Sequence, residues 1–480
     1  MKTLEPRNVW HFFEEITKVP RPSKKEEKII AYLQNFAKEQ NLEYVTDKSG
    51  NVVIYKAATS GYEDVPALII QSHVDMVCEK NADVEHNFDT DAIQTYVDGD
   101  WLKARGTTLG ADNGIGMALS MAVLASDDVK HPALECLFTV DEETGLTGAY
   151  ALENGLLKGQ SLINLDSEDD GEIFIGCAGG IDTLVKFNAD YEPTPAGYFS
   201  ATITVKGLCG GHSGGDIHLG LGNANKILNR YLYKVNKATD LRIAHIDGGN
   251  LRNAIAREAF ATVSVPMTYK EQLRVEMNHF IVDIENEFGK IEPDFTMELS
   301  SEAAPQQVFT KSLSDRLILA LYTCPHGVIA MSHDMPGLVE TSTNLASVKV
   351  KDGYVEVNTS QRSSITSAKM DIMNMVESVF VLAGADVVSH GDGYPGWKPN
   401  VESRMLRNAQ TAFRTLYNKE AKVLAIHAGL ECGLFLEKYP HLDMISIGPA
   451  MQGVHSPTER LSISSTARCW DWLVKILEIK

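Results

Sequence analysis

Paired cysteines are missing from this sequence. Its seven cysteines, at 78, 136, 177, 209, 324, 432 and 469, are odd in number and far apart, and no two form Cys-x-x-Cys. Neither a zinc ribbon nor a disulfide framework is therefore expected. Basic residues are scarce as well: 44 Lys and Arg stand against 64 Asp and Glu, a formal charge of −20. Phosphate-rich partners are gripped by clustered Lys and Arg, so nucleic acid and anionic membrane surfaces are excluded as expected partners. No apolar run approaches the ~18 residues that a membrane span requires. Met1-Lys2-Thr3-Leu4-Glu5-Pro6 carries a lysine with no apolar stretch behind it, so no secretory signal is expected. The expectation is a reduced, soluble, cytoplasmic chain.

What is present is ample apolar material, 44% of 480 residues. At roughly 150 residues per domain that suggests two or three domains with proper cores. Two stretches are dense in chain breakers, 191–197 with two prolines and a glycine and 391–399 with three glycines and two prolines. They divide the chain into parts 1–190, 191–390 and 391–480, the last of which is short enough to complete the first around an insertion.

The first part alternates strands and helices. Residues 26–40 place Ile29, Ile30, Leu33 and Phe36 on one helical face. Residues 67–71, 133–140, 161–165 and 444–447 are short apolar runs of the kind found in buried parallel strands. Residues 114–125 are rich in small residues and long enough for a buried helix. The middle part mixes alternating strands (201–205, 354–358) with helices (270–288), which predicts an α+β sheet with helices on one face.

The chemistry lies in where the polar residues fall. Run 67–71 leads into Ser72-His73-Val74-Asp75, and run 133–140 into Asp141-Glu142-Glu143. Run 161–165 is followed by Asp166, and run 444–447 leads through Gly448-Pro449 to His455. Asp112 lies in Gly110-Ala-Asp-Asn-Gly114, at the entrance to the small-residue helix. In an open α/β sheet, ligands bind outside the carboxyl ends of the strands, and these strands deliver acids and imidazoles to that edge. Carboxylates so crowded would repel or protonate. A metal pair removes the conflict, one carboxylate bridging ions ~3.5–4 Å apart. The donor set is borderline between zinc and harder divalent ions. One acid is left over, Glu142 or Glu143, because neighbouring strand-end residues point in different directions, and it is free to act as general base. Asp75 is placed to accept the second N–H of His73.

These residues carry a resemblance. Ser72-His73-Val74-Asp75-Met76-Val77, Gly106-Thr-Thr-Leu-Gly-Ala-Asp-Asn-Gly-Ile-Gly116, Asp141-Glu-Glu-Thr-Gly145, Asn164-Leu-Asp166 and Val454-His-Ser-Pro457 together resemble the M20 family of metallopeptidases. The likeness runs nearly end to end, through Gly179-Gly-Ile-Asp182, Gly210-Gly-His-Ser-Gly-Gly215, Leu251-Arg-Asn-Ala-Ile255 and His427-Ala-Gly-Leu-Glu-Cys-Gly433. It implies an α/β catalytic domain with a central, mostly parallel sheet flanked by helices, interrupted by an α+β lid that also dimerises. It implies two zinc ions bridged by Asp112, one completed by His73 and Asp166 and the other by Glu143 and His455, with cobalt or manganese as possible substitutes. Glu142 would be the general base, Asp75 the partner of His73, and the Asp112–Asn113 peptide cis. In the lid, His212 would help form the oxyanion site while Asn253 and Arg362 contact substrate, Arg362 through a free carboxylate. His427 and Glu431, in the last matched motif, are grouped with the substrate residues without a defined role. The implied substrates are small peptides, Xaa-His dipeptides including β-Ala-His among them, and the implied assembly is a homodimer.

Two other readings use the same chain. An amidohydrolase of the same superfamily would take N-acyl amino acids. Gly211-His-Ser-Gly-Gly215 also satisfies Gly-x-Ser-x-Gly, the nucleophile-elbow pattern, with Ser213 as nucleophile. That reading leaves the acid cluster unexplained.

Overall fold

A computed structural model describes Met1 and residues 3–480, and it divides the chain into two compact units. Unit 1 comprises residues 1–177, 397–425 and 430–480, and unit 2 comprises residues 178–396 and 426–429. The first crossing therefore falls at 177/178, ahead of the breaker-rich stretch 191–197. The reason is pairing. Strand Gly179–Asn188 bonds along its whole length to Tyr354–Ser363, and Tyr191–Pro193 pairs with Gln307–Phe309, so 191–197 is a turn inside unit 2. The second crossing, at 396/397, lies within 391–399. The brief return at 426–429 is explained by the Ala178 amide, which donates to the carbonyls of Ile426 and Ala428.

Unit 1 is built on an eight-stranded sheet in the order Glu43–Thr46, Val52–Lys56, Leu134–Thr139, Leu68–His73, Ser161–Asn164, Asp443–Ser446, Glu172–Cys177, Lys422–Ile426. The four strands from Leu134–Thr139 to Asp443–Ser446 run parallel. Glu43–Thr46 with Val52–Lys56, Val52–Lys56 with Leu134–Thr139, and Asp443–Ser446 with Glu172–Cys177 pair antiparallel, so the sheet is mixed around a parallel centre. Every residue of Leu68–His73 and Leu134–Thr139 is buried, which is why these strands lack the polar–apolar alternation of a half-exposed strand. Helix Ala111–Ala125 is buried on all sides, packing against Arg7–Ile16 and against Leu68–His73. The amphipathic helix Glu27–Glu39 buries Ile29, Leu33 and Phe36. A four-stranded antiparallel sheet joins Thr95–Asp98 and Trp101–Ala104 to the hairpin Arg460–Ser462 and Met451–Gln452. The loop of that hairpin holds His455.

Unit 2 has a nine-stranded antiparallel sheet, with Val339–Lys351 and Tyr354–Ser363 as its long central pair. Gly179–Asn188 and Tyr198–Lys206 alternate buried and half-buried residues, as strands with one packed face do. Val185, Ile203, Val263 and Val357 from the sheet share one core with Leu232, Phe280, Leu317 and Phe380 from helices Ala224–Ala238, Lys270–Phe288, Lys311–Thr323 and Thr366–Leu382.

Candidate metal centre

Parallel pairing brings the first ligands together. His73 ends the strand Leu68–His73, Glu142 and Glu143 follow Leu134–Thr139, and Asp166 follows Ser161–Asn164, so three adjacent strands empty onto one edge. Asp112 stands in the first turn of Ala111–Ala125, behind Gly110 at φ 67°. Only glycine serves at position 110, since a Cβ there would lie 2.6 Å from Arg21 Nη2 in a backbone region that L side chains rarely adopt. The Asp112–Asn113 peptide is cis.

The two oxygens of Asp112 face two different imidazoles. Oδ1 lies 2.9 Å from His73 Nε2, and Oδ2 lies 3.0 Å from His455 Nε2. Asp166 Oδ1 is 3.3 Å from His73 Nε2, and Glu143 Oε2 is 3.0 Å from His455 Nε2. Two three-residue donor sets result, His73–Asp112–Asp166 and Asp112–Glu143–His455, each with ligand atoms within 4.8 Å of one another. Asp112 belongs to both. Glu142 forms a further group with His73 and Glu143. His73 is fully buried, whereas His455 is half exposed.

Buried residues hold this edge in place. Asp75 lies 3.3 Å from His73 Nδ1. Its carboxylate also accepts from Ser23 Oγ (2.7 Å) and from the amides of Glu142 (3.0 Å) and Glu143 (3.2 Å). One carboxylate thus orients both the imidazole and the turn that carries the two glutamates. Asn113 Nδ2 donates to Asp166 Oδ1 and to the carbonyl of Leu165. A nearby acidic group, Glu26–Asp75–Asp141, is spent on scaffolding: Glu26 accepts from the amides of Lys24 and Asp141, and Asp141 from the hydroxyls of Thr144 and Thr147.

The charges show what the site demands. Burial alone would depress the His73 imidazole, but Asp166, Asp112 and Asp75 raise it well above its ordinary range. Hydrogen bonds that His455 donates to Asp112 and Glu143 lift it to about 11. Burial raises Asp166 to about 6, with Asp112 adding to it against the pull of His73. Burial would also raise Asp75, yet His73, Ser23 and the Glu142 amide hold it at about 2. The carboxylates thus favour positive charge between them. Divalent ions supply more positive charge in the same positions and leave neutral imidazole nitrogens free to ligate. The donor set fits a pair of such ions.

Unit 2 gathers the other predicted residues. His212 Nδ1 accepts from the amides of Gly214 (3.2 Å) and Gly215 (2.9 Å), which fixes the neutral tautomer with its proton on Nε2. The Asn253 carbonyl accepts from the Ser213 amide at 2.8 Å, so the loops carrying His212 and Asn253 lie side by side. Arg362 is buried and pairs across the strands with Ser342. Ser342 Oγ lies 2.7 Å from His427 Nε2. Burial first, then Arg362, pushes His427 down to about 3, so it is neutral. Ser213 Oγ is buried with no hydrogen-bond partner among the described residues, so no base activates it and the nucleophile-elbow reading fails.

Residues 69–479 match the peptidase family M20/M25/M40. The chain belongs to this family. It is 44% identical over 478 residues to a cytosol non-specific dipeptidase from Escherichia coli K12, which covers 100% of this chain and 98% of that protein. The solved aminoacylhistidine dipeptidase from Vibrio alginolyticus is 45% identical with a TM-score of 0.94, over 99% of this chain and 97% of the other. An aminopeptidase from Bacillus cereus, 16% identical with a TM-score of 0.58 over 99% and 98% of the two chains, shares the fold. This M20 chain is a hydrolase of peptide bonds.

Two supports of the M20 site are only faintly marked in the sequence. Buried Arg21 donates to the carbonyls of Val74 (2.8 Å), Asp75 (2.7 Å) and Gly110. Buried Glu459 accepts from the amides of Leu109, Gly110, Ala111 and Asp112. The weak signals were the Pro20-Arg21-Pro22 context and the place of Glu459 four residues after His455. Glu431, grouped by the resemblance with substrate-binding residues, is fully buried and accepts from Gln71 Nε2 (2.6 Å) and Thr139 Oγ1 (2.9 Å). Burial raises its carboxyl to about 8. From the start of helix Glu431–Lys438 it braces the ends of strands Leu68–His73 and Leu134–Thr139.

Proposed function

We propose that this M20 peptidase is a dinuclear, zinc-dependent cytoplasmic dipeptidase that cleaves Xaa-His peptides, β-Ala-His included, along with other dipeptides. The observation that carries the reading is Asp112, whose two oxygens each face the imidazole of a separate three-residue donor set. The relatives named as dipeptidases over the full chain length support the substrate class. His73, Asp112 and Asp166 would hold one ion, and Asp112, Glu143 and His455 the other. When bound, such a pair polarises a peptide carbonyl and lowers the pKa of water.

The remaining work belongs to the chain. Glu142 takes a proton from the attacking water and delivers it to the leaving amine. Burial, reinforced by Asp166, Glu431 and Glu143 and opposed by His73, raises its carboxyl well above the usual range, so it holds a proton readily. Asp75 keeps the His73 ring aimed and the Glu142–Glu143 turn fixed. In unit 2, His212 offers its Nε2–H to the developing oxyanion, Asn253 contacts the substrate, and Arg362 engages a free carboxylate. Neutral His427, tied to Ser342, shapes the surroundings of Arg362. Unit 2 serves as lid and as the dimerising surface, a role supported by exposed Met375, Val381 and Leu382 on one of its helices.

A panel of dipeptides, tripeptides and N-acyl amino acids, assayed before and after chelation, tests the proposal. Dipeptides should be cleaved best, activity should vanish with the metal, and zinc or a similar ion should restore it. Preference for N-acyl amino acids would transfer the chain to the amidohydrolases. Full activity in the metal-free protein would end the metal reading.

A further inference from the structure

Arg362 is held in an unusual way. Only 7% of it is exposed. Its Nη1 donates to Tyr394 Oη at 2.9 Å, while its Nε is buried with no partner among the described residues. A buried donor without an acceptor is costly. With Nη1 already committed, the free edge of the guanidinium is Nε with Nη2, the geometry that takes a carboxylate through two parallel bonds.

Tyr394 is itself fixed. Its amide donates to the Gly180 carbonyl (2.8 Å), and its carbonyl accepts from the Gly180 amide (3.1 Å) and from Lys369 Nζ (2.5 Å). Gly180 is the register partner of Arg362 on the neighbouring strand. A Cβ at Gly180 would lie 2.6 Å from the Tyr394 ring, and one at Gly429 2.8 Å from it. The two glycines open the slot in which the ring lies. The breaker-rich segment 391–399 is therefore more than a connection, since it delivers a phenol to the guanidinium.

We propose that Tyr394 is a positioning residue that sets the plane of Arg362 and so determines selectivity for substrates with a free C-terminal carboxylate. This rests on the carboxylate role proposed above for Arg362. Losing the phenol oxygen frees the guanidinium to rotate, so the two-bond geometry must be found anew at each binding event. The ring is retained in Tyr394→Phe, which keeps the packing on Gly180 and Gly429.

The test uses the metal-loaded enzyme with matched pairs of dipeptides and dipeptide C-terminal amides. For Tyr394→Phe, KM for the free acids should rise about ten- to a hundredfold, the size expected for losing one hydrogen bond to a charged group. Its kcat should stay within about threefold and KM for the amides should not move, while the melting temperature falls modestly because Arg362 Nη1 loses its acceptor. Arg362→Ala should erase the preference for acids over amides. An equal rise of KM for acids and amides would mark a merely structural role and overturn the proposal. Unchanged KM for both in Tyr394→Phe, while Arg362→Ala loses the preference, would overturn it but leave Arg362 as the carboxylate ligand. A preference that survives Arg362→Ala would remove the underlying reading and the proposal together.

Discussion

Glu142→Gln should keep both metals and near-native stability while its turnover falls by a factor on the order of 10²–10⁴, the usual size of general-base catalysis. The loss is larger if the same carboxyl also protonates the leaving amine. Glu143→Gln should behave differently despite being the next residue. Glu143 Oε2 lies 3.0 Å from His455 Nε2, inside the donor set shared with Asp112, so its loss removes an anionic oxygen from a dication and lowers occupancy. Mass action offsets a binding defect but leaves a raised barrier untouched. Excess zinc should therefore restore part of the Glu143→Gln activity and none of the Glu142→Gln activity. Elemental analysis beside the rate at saturating zinc separates the two. If Glu142→Gln lost metal and recovered with zinc while Glu143→Gln stayed loaded and inactive, the two roles would have to be exchanged. Both amides donate to Asp75, so neither side-chain substitution disturbs the turn itself.

The sequence made the centre of unit 1 legible because burial on both faces leaves a plain signal. Four apolar runs became the four central parallel strands, within a residue or two at their ends. The polar residues that follow them could be read as a cluster because a parallel sheet sends every carboxyl end to the same edge. The supports were hidden for the opposite reason. Glu459 reaches residues some 350 positions away through backbone amides alone, and a contact of that kind needs no particular side chain at the receiving end. Arg21 likewise bonds only carbonyls. The crossing at 177/178 was missed because breakers mark turns, and a turn inside a domain looks in sequence like a linker between two. The strand Gly179–Asn188 betrays its membership only through its pairing with Tyr354–Ser363. Glu431 opens a helix, and its burial against Gln71 and Thr139 is a long-range contact that no local pattern discloses.

Glu459→Ala should weaken metal binding about 10–100-fold, the range found for groups that orient ligands from behind, and should destabilise unit 1 by roughly 3–5 kcal/mol, as loss of a buried charged partner does. Its carboxylate takes the amides of Leu109 (2.6 Å) and Gly110 (3.0 Å) on one oxygen and those of Ala111 (2.7 Å) and Asp112 (3.4 Å) on the other. These are the unpaired donors at the start of helix Ala111–Ala125, where a negative charge is also favoured. Glu459 is only 2% exposed, so water would replace it poorly, and each stranded amide costs about 1–3 kcal/mol in a sum that does not add fully. The effect on metal follows from position. Glu459 shares the hairpin loop with His455 and holds the turn that carries Asp112, so it sets the spacing between two members of one donor set. Glu459→Gln keeps one accepting oxygen but turns an amide N–H₂ toward backbone N–H groups, so it should fall between wild type and Glu459→Ala in both affinity and stability. Competition against a chromophoric chelator measures the first, and denaturant unfolding of the metal-free protein the second. Because the defect is one of binding, turnover of Glu459→Ala at saturating zinc should approach the wild type, in contrast to Glu142→Gln. Wild-type metal affinity in a destabilised Glu459→Ala would show that the residue caps a helix and nothing more.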